Sequence, residues 1–375
     1  MPGDLPAASA KFMNDTQNDT TDPAQGHNWR LQWPLSTGKC VASADFKHGT
    51  DDFQVSEVLD KASIQGENGS GNAGEHLCLR LQKTGDNTEY VARELAAMAD
   101  FRPFDVSFCG LKDRHAVTWQ WFSLYRPGQN DSDADFIARV SEYWPVIDSC
   151  RSASKLRRGD HSGNGFRIIL RNVDGDRAAI DQALERLAES GAPNYFGPQR
   201  FGHNGANLDH ALLLNPRSLN RPAKGRSKGR GRGGRSSQDS KNVLYFSAAR
   251  SWLFNEVLAA RVNNGSWCQP MAGEPDEQRV TGPLWGDGGT RATGEQEQLE
   301  RSAVAANPQL AALFASTRMQ PERRPLQLVP QNLNWEWQDS TTLAIEFTLG
   351  AGQYATTLLA DVFALQDLAL SRLTE

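Results

Sequence analysis

The chain of 375 residues has no long apolar run. No stretch of about eighteen consecutive apolar residues occurs, so the sequence predicts no transmembrane helix. Residues 1–27 lack a charged start followed by an apolar segment, which argues against a signal peptide. The composition, with 38% hydrophobic and 23% charged residues, is typical of a globular protein, and the length is sufficient for two domains.

Cysteine is scarce, and no Cys-x-x-Cys pair occurs. An odd number of widely spaced cysteines argues against a disulfide framework and a structural zinc site, and it favours a reducing cytoplasm. The seven histidines form no His-Glu-x-x-His pattern, and neither common type of glycine-rich phosphate loop is present. We therefore expect no metal site. The five cysteines are Cys40, Cys78, Cys109, Cys150 and Cys268.

Negative charge is in slight excess, but it is unevenly distributed. The net charge is −5, whereas residues 217–241 contain nine Lys or Arg and one acid, so the rest of the chain carries −13. This asymmetry favours a local anionic partner, although a solvated loop has the same composition. We expect residues 217–241 to form a mobile loop and residues 1–28 a disordered tail, because neither segment can build a core.

Hydrophobic periodicity predicts both strands and helices. Residues 53–59 alternate as a strand with Glu57 on the apolar side, and residues 119–124 indicate a buried strand. A buried glutamate needs a partner, so Glu57 either forms a structural ion pair or lines a site. Helical stripes occupy residues 88–98, 176–190, 243–262 and 297–314; residues 335–348 read as one strand and residues 354–370 as a terminal helix.

The clearest candidate for chemistry is Asp113. It lies between Lys112 and Arg114, follows Gly110 and precedes the predicted buried strand. Adjacent cations favour the ionised carboxylate, and an ionised carboxylate in a pocket that excludes water can act as a nucleophile. Considered as a tripeptide alone, Lys-Asp-Arg is more often an exposed turn with solvated charges.

Two further segments suit contacts with RNA. Residues 151–171 contain six Lys or Arg against one Asp, with Asn164 and Phe166 near the tip of an expected hairpin. Phosphate contacts and aromatic stacking are the usual means of holding RNA, although a basic edge strand would have similar residues. Residues 194–208 combine glycines, aromatics and Arg200, which indicates a structured loop or a domain junction.

Several motifs, in order along the chain, resemble the TruD family of tRNA pseudouridine synthases. The likeness extends from about residue 45 to 370. The strongest motif is Gly-Leu-Lys-Asp-Arg-His-Ala-Val-Thr at residues 110–118, followed by Gln120-Trp121. The others are Asp52-Phe53, Lys83 with Asn87-Thr88, Gly163-Asn164-Gly165-Phe166, the run 194–202, the run 248–255, Arg323-Arg324, and Gly352 with Tyr354-Ala355-Thr356.

The resemblance implies an α+β fold. The expected pseudouridine synthase catalytic domain has a mixed, mainly antiparallel sheet and comprises residues 29–192 and 329–375. An inserted α/β domain, specific to the family, would comprise residues 193–328. The Gly/Arg run at 224–235 is longer and more basic than the family leads us to expect. We predict that it is an auxiliary loop that binds RNA; the alternative is a lineage-specific disordered insertion without a role.

The resemblance also implies isomerisation of uridine 13 in tRNA, without a cofactor, by a protein that we expect to be a monomer. Asp113 would be the nucleophile, attacking either C6 of the base or C1′ of the ribose, and the base that removes the C5 proton stays unassigned. The implied pocket for an everted uridine consists of Phe53, Asn164, Phe166 and Tyr354. Residues expected to support Asp113 or to contact RNA are Glu57, Lys83, Lys112, Arg114, Arg157, Arg158, Asn194 and Arg200.

Two other classes of function are consistent with parts of the sequence. A non-catalytic RNA-binding or RNA-folding protein of the same fold would not need the carboxylate of Asp113. A metal-dependent nuclease could use Asp113 and Glu57 as ligands, but further clustered carboxylates or histidines are lacking. The sequence therefore favours the pseudouridine synthase.

Overall fold

A computed structural model describes residues 27–65, 74–215, 237–276, 278–315 and 317–371. The predicted tail at 1–28 and the predicted mobile loop at 217–241 lie largely outside these ranges. The helices are α1 Lys61–Gln65, α2 Thr88–Met98, α3 Asp133–Ser141, α4 Arg177–Ser190, α5 Ala206–Leu212, α6 Ser237–Asn263, α7 Gly294–Ala305, α8 Pro308–Ala312, α9 Ala355–Leu359 and α10 Leu368–Ser371. The strands are β1 Ala42–Phe46, β2 Phe53–Val58, β3 His76–Thr84, β4 Val106–Phe108, β5 Val117–Tyr125, β6 Val146–Ser152, β7 Gly163–Gly175, β8 Ala192–Pro193, β9 Thr281–Leu284, β10 Glu322–Pro325, β11 Gln327–Leu328, β12 Gln331–Trp337, β13 Leu343–Gly350 and β14 Phe363–Asp367.

Ten strands form one sheet with the central order β12-β13-β7-β2-β5-β3-β6. Strand β4 is added beside β5, and β1 links β7 to β14. The pairs β2–β5 and β1–β14 are parallel, and the other pairs in the sheet are antiparallel. The prediction of an α+β fold with a mixed, mainly antiparallel sheet is confirmed.

Helices cover the sheet with the apolar stripes that the sequence predicts. Helix α4 buries Ile180, Leu184 and Leu187 in the same core as Ile168 and Ile345 from the sheet. The carboxylate of its N-cap residue accepts a hydrogen bond from a backbone N–H of the first turn at 2.9 Å, which begins the helix as a cap should. Helix α2 covers the opposite end of the sheet in the same way, through a second group of apolar residues.

A separate apolar cluster lies within residues 195–326. We call it the second core; it packs α5, α6, α7 and α8 together with the two-stranded ribbon of β9 and β10. The chain enters and leaves this region through β8 and β11, which pair with each other. Trp29, Leu31 and Trp33 pack against the second core, although the sequence assigns them to the same unit as the large sheet.

The predicted terminal helix over 354–370 is wrong. Two short helices, Ala355–Leu359 and Leu368–Ser371, lie at the two ends of this range, and Phe363–Asp367 between them is a strand that pairs in parallel with β1. The helical period is present in the sequence, but β1 offers an open edge whose backbone groups need partners, and pairing with it decides the conformation.

Three other local predictions need correction. Residues 335–348 form two strands of a hairpin, because the carboxylate of Asp339 accepts the N–H groups of Thr341 and Thr342 and closes a turn. Residues 151–171 do not form a hairpin, since β6 pairs with β3 whereas β7 pairs with β1, β2 and β13. The helix predicted at 297–314 is broken ahead of Pro308, which has no N–H to continue it.

Among the residues that the structure describes, no helix is long and apolar enough to cross a membrane.

Candidate active site

Asp113 lies on the loop between β4 and β5, and its side chain is 53% exposed. Its Oδ2 lies 3.5 Å from Nζ of Lys47, a lysine whose own side chain is only 12% exposed. The ammonium of Lys47 also lies over the ring of Phe53, 4.4 Å from its centroid. One cation therefore connects the carboxylate to the aromatic residue that begins β2.

Lys47 has a positive φ of 56°, an unusual conformation for a residue with a side chain. It follows directly after β1, whose residues alternate between buried and partly exposed positions. Such conformations persist where the surrounding structure enforces them, and they are concentrated at functional sites. The end of β1 thus presents Lys47 to Asp113 from a distant part of the sequence.

The cations that flank Asp113 in the sequence have other partners. Nζ of Lys112 lies 2.7 Å from Oε1 of Glu57, and Nε of Arg114 donates to the carbonyl of Gly85 at 3.2 Å. The inference that Lys112 and Arg114 surround the carboxylate of Asp113 is corrected accordingly. Successive residues of an extended loop point in different directions, so neighbours in sequence need not share a partner.

The pair of Glu57 and Lys112 is almost fully buried, with side-chain exposures of 0% and 5%. The second carboxylate oxygen of Glu57 accepts the backbone N–H of Trp121 at 3.0 Å. Of the two alternatives open for Glu57, the structure shows the ion pair. A buried ion pair of this kind fixes geometry, because either partner alone would be a buried uncompensated charge.

Two polar side chains hold the loop immediately before Asp113. Thr88 accepts the N–H of Lys112 at 3.0 Å and donates to Gln120, whose amide in turn donates to the carbonyl of Gly110 at 2.6 Å. Both residues are buried. The backbone at 110–112 is therefore fixed from α2 and from β5, which limits the positions that Asp113 can take.

A buried thiol and a histidine lie beneath this loop. Ligand atoms of Glu57, Cys109 and His161 lie within 4.8 Å of one another. Burial raises the pKa of Cys109 to about 12, and burial together with Lys112 lowers the pKa of His161. The ammonium of Lys112 already neutralises Glu57, so this group is balanced by the chain's own cation.

Lys83 lies at the end of β3 and is buried. Its ammonium donates to the carbonyl of Asp86 at 2.8 Å. Burial lowers the pKa of Lys83 to about 8, against the opposing influence of Asp86 and Asp113. The burial of Lys83 does not suit a phosphate contact, and a supporting role beside Asp113, the other alternative, stays a prediction.

Three of the four predicted pocket residues lie on adjacent strands. Phe53 and Phe166 are tilted neighbours with ring centroids 6.2 Å apart, and Asn164 is the register partner of Glu57. Oδ1 of Asn164 is buried and has no hydrogen-bond partner within the described chain. The backbone around Phe166 also borders a groove of about 350 Å³, which lies on the opposite face of the sheet with Ser56 and Trp119. An aromatic surface and an unused amide oxygen therefore lie along the β2–β7 pair.

Tyr354, the fourth predicted pocket residue, precedes α9 and is half-buried. The turn before it reaches β7, because the N–H of Ala351 donates to the carbonyl of Ser162 at 3.2 Å and Gly350 pairs with Gly163. A Cβ on Gly163 would lie 2.2 Å from the carbonyl oxygen of Leu349, so only glycine permits this close approach. The turn thus places Tyr354 beyond the end of the strand that carries Asn164.

The remaining predicted RNA contacts have different environments. Arg157 and Arg158 are exposed on the loop between β6 and β7, and Arg158 lies 6.0 Å from the ring centroid of Phe108. Arg200 is half-buried and donates to the hydroxyl groups of Ser247 and Ser251. Asn194 is buried and donates to the carbonyl of Pro325 at 2.8 Å, which makes it part of the β8–β11 junction.

The sequence indicated neither Lys47 nor Arg324 as a functional residue. Lys47 lies within residues 29–49, a segment in which no period is clear, so no pattern pointed to it. Arg324 was noted only as part of a family motif. Thr88 and Gln120 belong to segments that match the family, and the structure shows what they hold.

Comparison with solved structures places the fold in a known class. The chain resembles the crystal structure of a Methanosarcina mazei protein proposed to be tRNA pseudouridine synthase D (TruD), with a TM-score of 0.61. The match covers 87% of this chain and 95% of that one, at 18% sequence identity. This likeness shows the fold: a large mixed sheet with a second region of helices and strands.

Sequence comparison is more specific. The family model for tRNA pseudouridine synthase D (TruD) matches residues 35–210. The tRNA pseudouridine synthase D of Marinobacter nauticus is 58% identical over 93% of this chain and 99% of its own. That of Pseudomonas entomophila is 37% identical over 88% of this chain and 94% of its own. The chain belongs to the tRNA pseudouridine synthase D (TruD) family.

Proposed function

We propose that the protein isomerises uridine to pseudouridine in tRNA, at position 13, with Asp113 as the nucleophile. The observation that carries the proposal is the contact of Asp113 with Lys47 beside the ring of Phe53. A carboxylate that lies 3.5 Å from an ammonium and is still half-exposed is open to a substrate. Family membership supports the reaction class, since the related proteins are named for it.

The reaction rearranges bonds without net oxidation. The bond between C1′ of the ribose and N1 of uracil breaks, the base turns, a bond forms between C1′ and C5, the C5 proton is released, and N1 takes up a proton. A carboxylate attack on C1′ or on C6 is consistent with this outcome. The chain's own groups suffice for such chemistry if they hold the released base and exclude water.

The uridine must leave its stack to reach Asp113, at a cost of a few kcal/mol. Phe53, Phe166 and Asn164 on the β2–β7 pair offer aromatic surface and an amide for an everted base. The unpartnered Oδ1 of Asn164 could accept the N3–H of uracil, which would satisfy a buried acceptor. We assign these residues, with Tyr354, to the nucleotide pocket.

The deciding experiment uses tRNA tritiated at C5 of uridine. The native protein should release tritium to water from position 13, and Asp113→Asn should lower the rate by roughly a thousandfold or more while still binding tRNA. Asp131→Asn, an exposed aspartate on a separate turn, is the matched control and should release tritium at the native rate.

Other outcomes point elsewhere. If the native protein binds tRNA without releasing tritium, it is an RNA-binding protein of this fold. If Asp113→Asn remains active, the nucleophile is another group. Loss of activity with excess chelator would favour metal chemistry over the proposal.

A further inference from the structure

Two guanidinium groups lie over one aromatic ring near the β8–β11 junction. Arg324 lies 4.2 Å from the ring centroid of Phe196, and Arg200 lies 5.8 Å from the same centroid. Arg324 also lies 5.7 Å from the ring centroid of Phe254. Aromatic faces attract cations, so this arrangement concentrates positive charge at one place.

Neither arginine has a carboxylate partner among the residues that the structure describes. Arg200 donates to two serine hydroxyl groups, and Arg324 donates to Oδ1 of Asn194 at 2.8 Å and to the carbonyl of Gly352 at 3.4 Å. In addition, Nε of Arg324 is buried without an acceptor. Burial, with the charge of Arg200, lowers the pKa of Arg324 to about 10.

The neighbouring arginine, Arg323, has a structural role and is paired with carboxylates. Arg323, next to Arg324 on β10, lies 2.8 Å from Glu300 and 3.3 Å from Glu274. A half-buried cation without a counterion costs free energy unless a ligand supplies one. Arg323 has carboxylate partners, whereas Arg200 and Arg324 have none among the described residues. This difference indicates that Arg200 and Arg324 bind an anion supplied by a ligand.

The position of the pair indicates which anion. The carbonyl of Gly352 belongs to the turn that precedes Tyr354 and that is bonded to Ser162, two residues before Asn164. Arg324 therefore borders the proposed nucleotide pocket, and Arg200 lies over the same aromatic ring as Arg324. A nucleotide that is turned out of its helix brings its flanking phosphates to the edge of the pocket.

We propose that Arg200 and Arg324 together hold one phosphodiester of the bound tRNA, next to the everted uridine. This inference rests on the proposed function for the identity of the RNA. A guanidinium matches phosphate in geometry and charge. The contacts with serine and asparagine fix the orientation of the two guanidinium groups. The two arginines act as positioning residues for the substrate.

The experiment measures the affinity of the full-length protein for tRNA between about 50 and 200 mM salt. Arg200→Gln and Arg324→Gln should each weaken binding by roughly ten- to a hundredfold. The double variant should reduce the slope of log affinity against log salt by about 0.7 to 0.9, the value of one phosphate contact. Each single variant should lose only part of that slope, because the other arginine still neutralises the same phosphate.

Arg250→Gln is the matched control. Arg250 is a half-buried arginine of the second core that donates to backbone carbonyls of Leu284, Trp285 and Gln320. Its loss should lower the melting temperature and leave the salt slope at the native value. Arg324→Lys keeps the positive charge but removes the planar guanidinium. It should retain most of the salt slope while binding tRNA more weakly.

A native slope in the double variant, or native affinity and slope in Arg200→Gln, would overturn the proposal and make the residues structural. A loss of roughly 1.4 to 1.8 in the double variant would also overturn it, since two phosphates would then be involved. Arg200→Gln removes contacts to two hydroxyl groups and to the ring of Phe196 from a half-buried position, and it should fold even if Arg324→Gln does not. This experiment measures binding, whereas tritium release measures the reaction. Failure of the phosphate proposal and failure of the proposed reaction are therefore distinguished.

Discussion

At the residue scale, Lys83 shows how burial adjusts a group beside the candidate nucleophile. Its side chain is buried at the end of β3, and the partner of its ammonium is a backbone carbonyl, not a carboxylate. The folded state therefore disfavours the charged form, and the pKa of Lys83 is lowered to about 8. This residue couples the stability of the site to pH.

The sign of that coupling follows from proton binding. Between about pH 8 and pH 10.5 the unfolded chain keeps the proton on Lys83 while the folded chain releases it, so stability rises with pH across this window. Up to roughly 3 kcal/mol is involved. Lys83→Met should remove the rise in the free energy of unfolding, measured with urea at several pH values. Lys39→Met, at an exposed position, should keep it. A rise that persists in Lys83→Met would show that another group is responsible.

At the scale of elements, the segment after β8 is fixed to the long helix α6 by one side chain. Asn255 accepts the N–H of Phe196 and donates to its carbonyl, both at 2.9 Å, and it is completely buried. These two hydrogen bonds fix the position of Phe196, and Arg200 and Arg324 lie over its ring. The Gly- and aromatic-rich run at 194–208 is thus a structured loop, one of the two alternatives that the sequence allowed.

Replacing Asn255 by leucine should leave both backbone groups of Phe196 buried without partners. The expected loss in the free energy of unfolding is about 2 to 4 kcal/mol, measured by chemical denaturation. Asn263→Leu changes an exposed residue at the end of the same helix and is expected to shift stability by less than about 0.5 kcal/mol. Equal changes in the free energy of unfolding for the two substitutions would contradict the role given to the hydrogen bonds of Asn255.

At the scale of the whole molecule, we propose that the second core belongs to an inserted domain, residues 193–328. The apolar clusters of the sheet and of residues 195–326 are separate, and the paired strands β8 and β11 carry the chain between them. Asn194 and Arg324 add side-chain bonds at this junction. A substitution that destabilises one of two separately packed cores should leave the stability of the other core largely unchanged.

Leu253 is fully buried in the second core, and Ile345 is fully buried under the sheet. Leu253→Ala should cost about 2 to 5 kcal/mol and raise amide hydrogen exchange in α5 to α8, with little change in β2, β7 and β13. Ile345→Ala is the reciprocal substitution and should have the opposite distribution. Faster exchange throughout the chain in both variants would argue for a single cooperative unit.

The sequence by itself indicated the class of fold through the family that its motifs resemble, and its local signals determined most of the internal strands and helices and the loop that carries Asp113. Those signals are the alternation in β2, the aromatic-rich apolar run of β5, the apolar stripe and caps of α4, and the motif at 110–118. It also showed that a buried Glu57 would need a partner, because a buried carboxylate is costly alone.

Only the tertiary structure decided which groups meet. It paired Asp113 with Lys47, Glu57 with Lys112, and Arg324 with the ring of Phe196, across separations that no local period encodes. It also made a strand of residues 363–367, where an edge of the sheet needed a partner. Periodicity reports which face of an element is buried, whereas the identity of a contact depends on how distant elements pack.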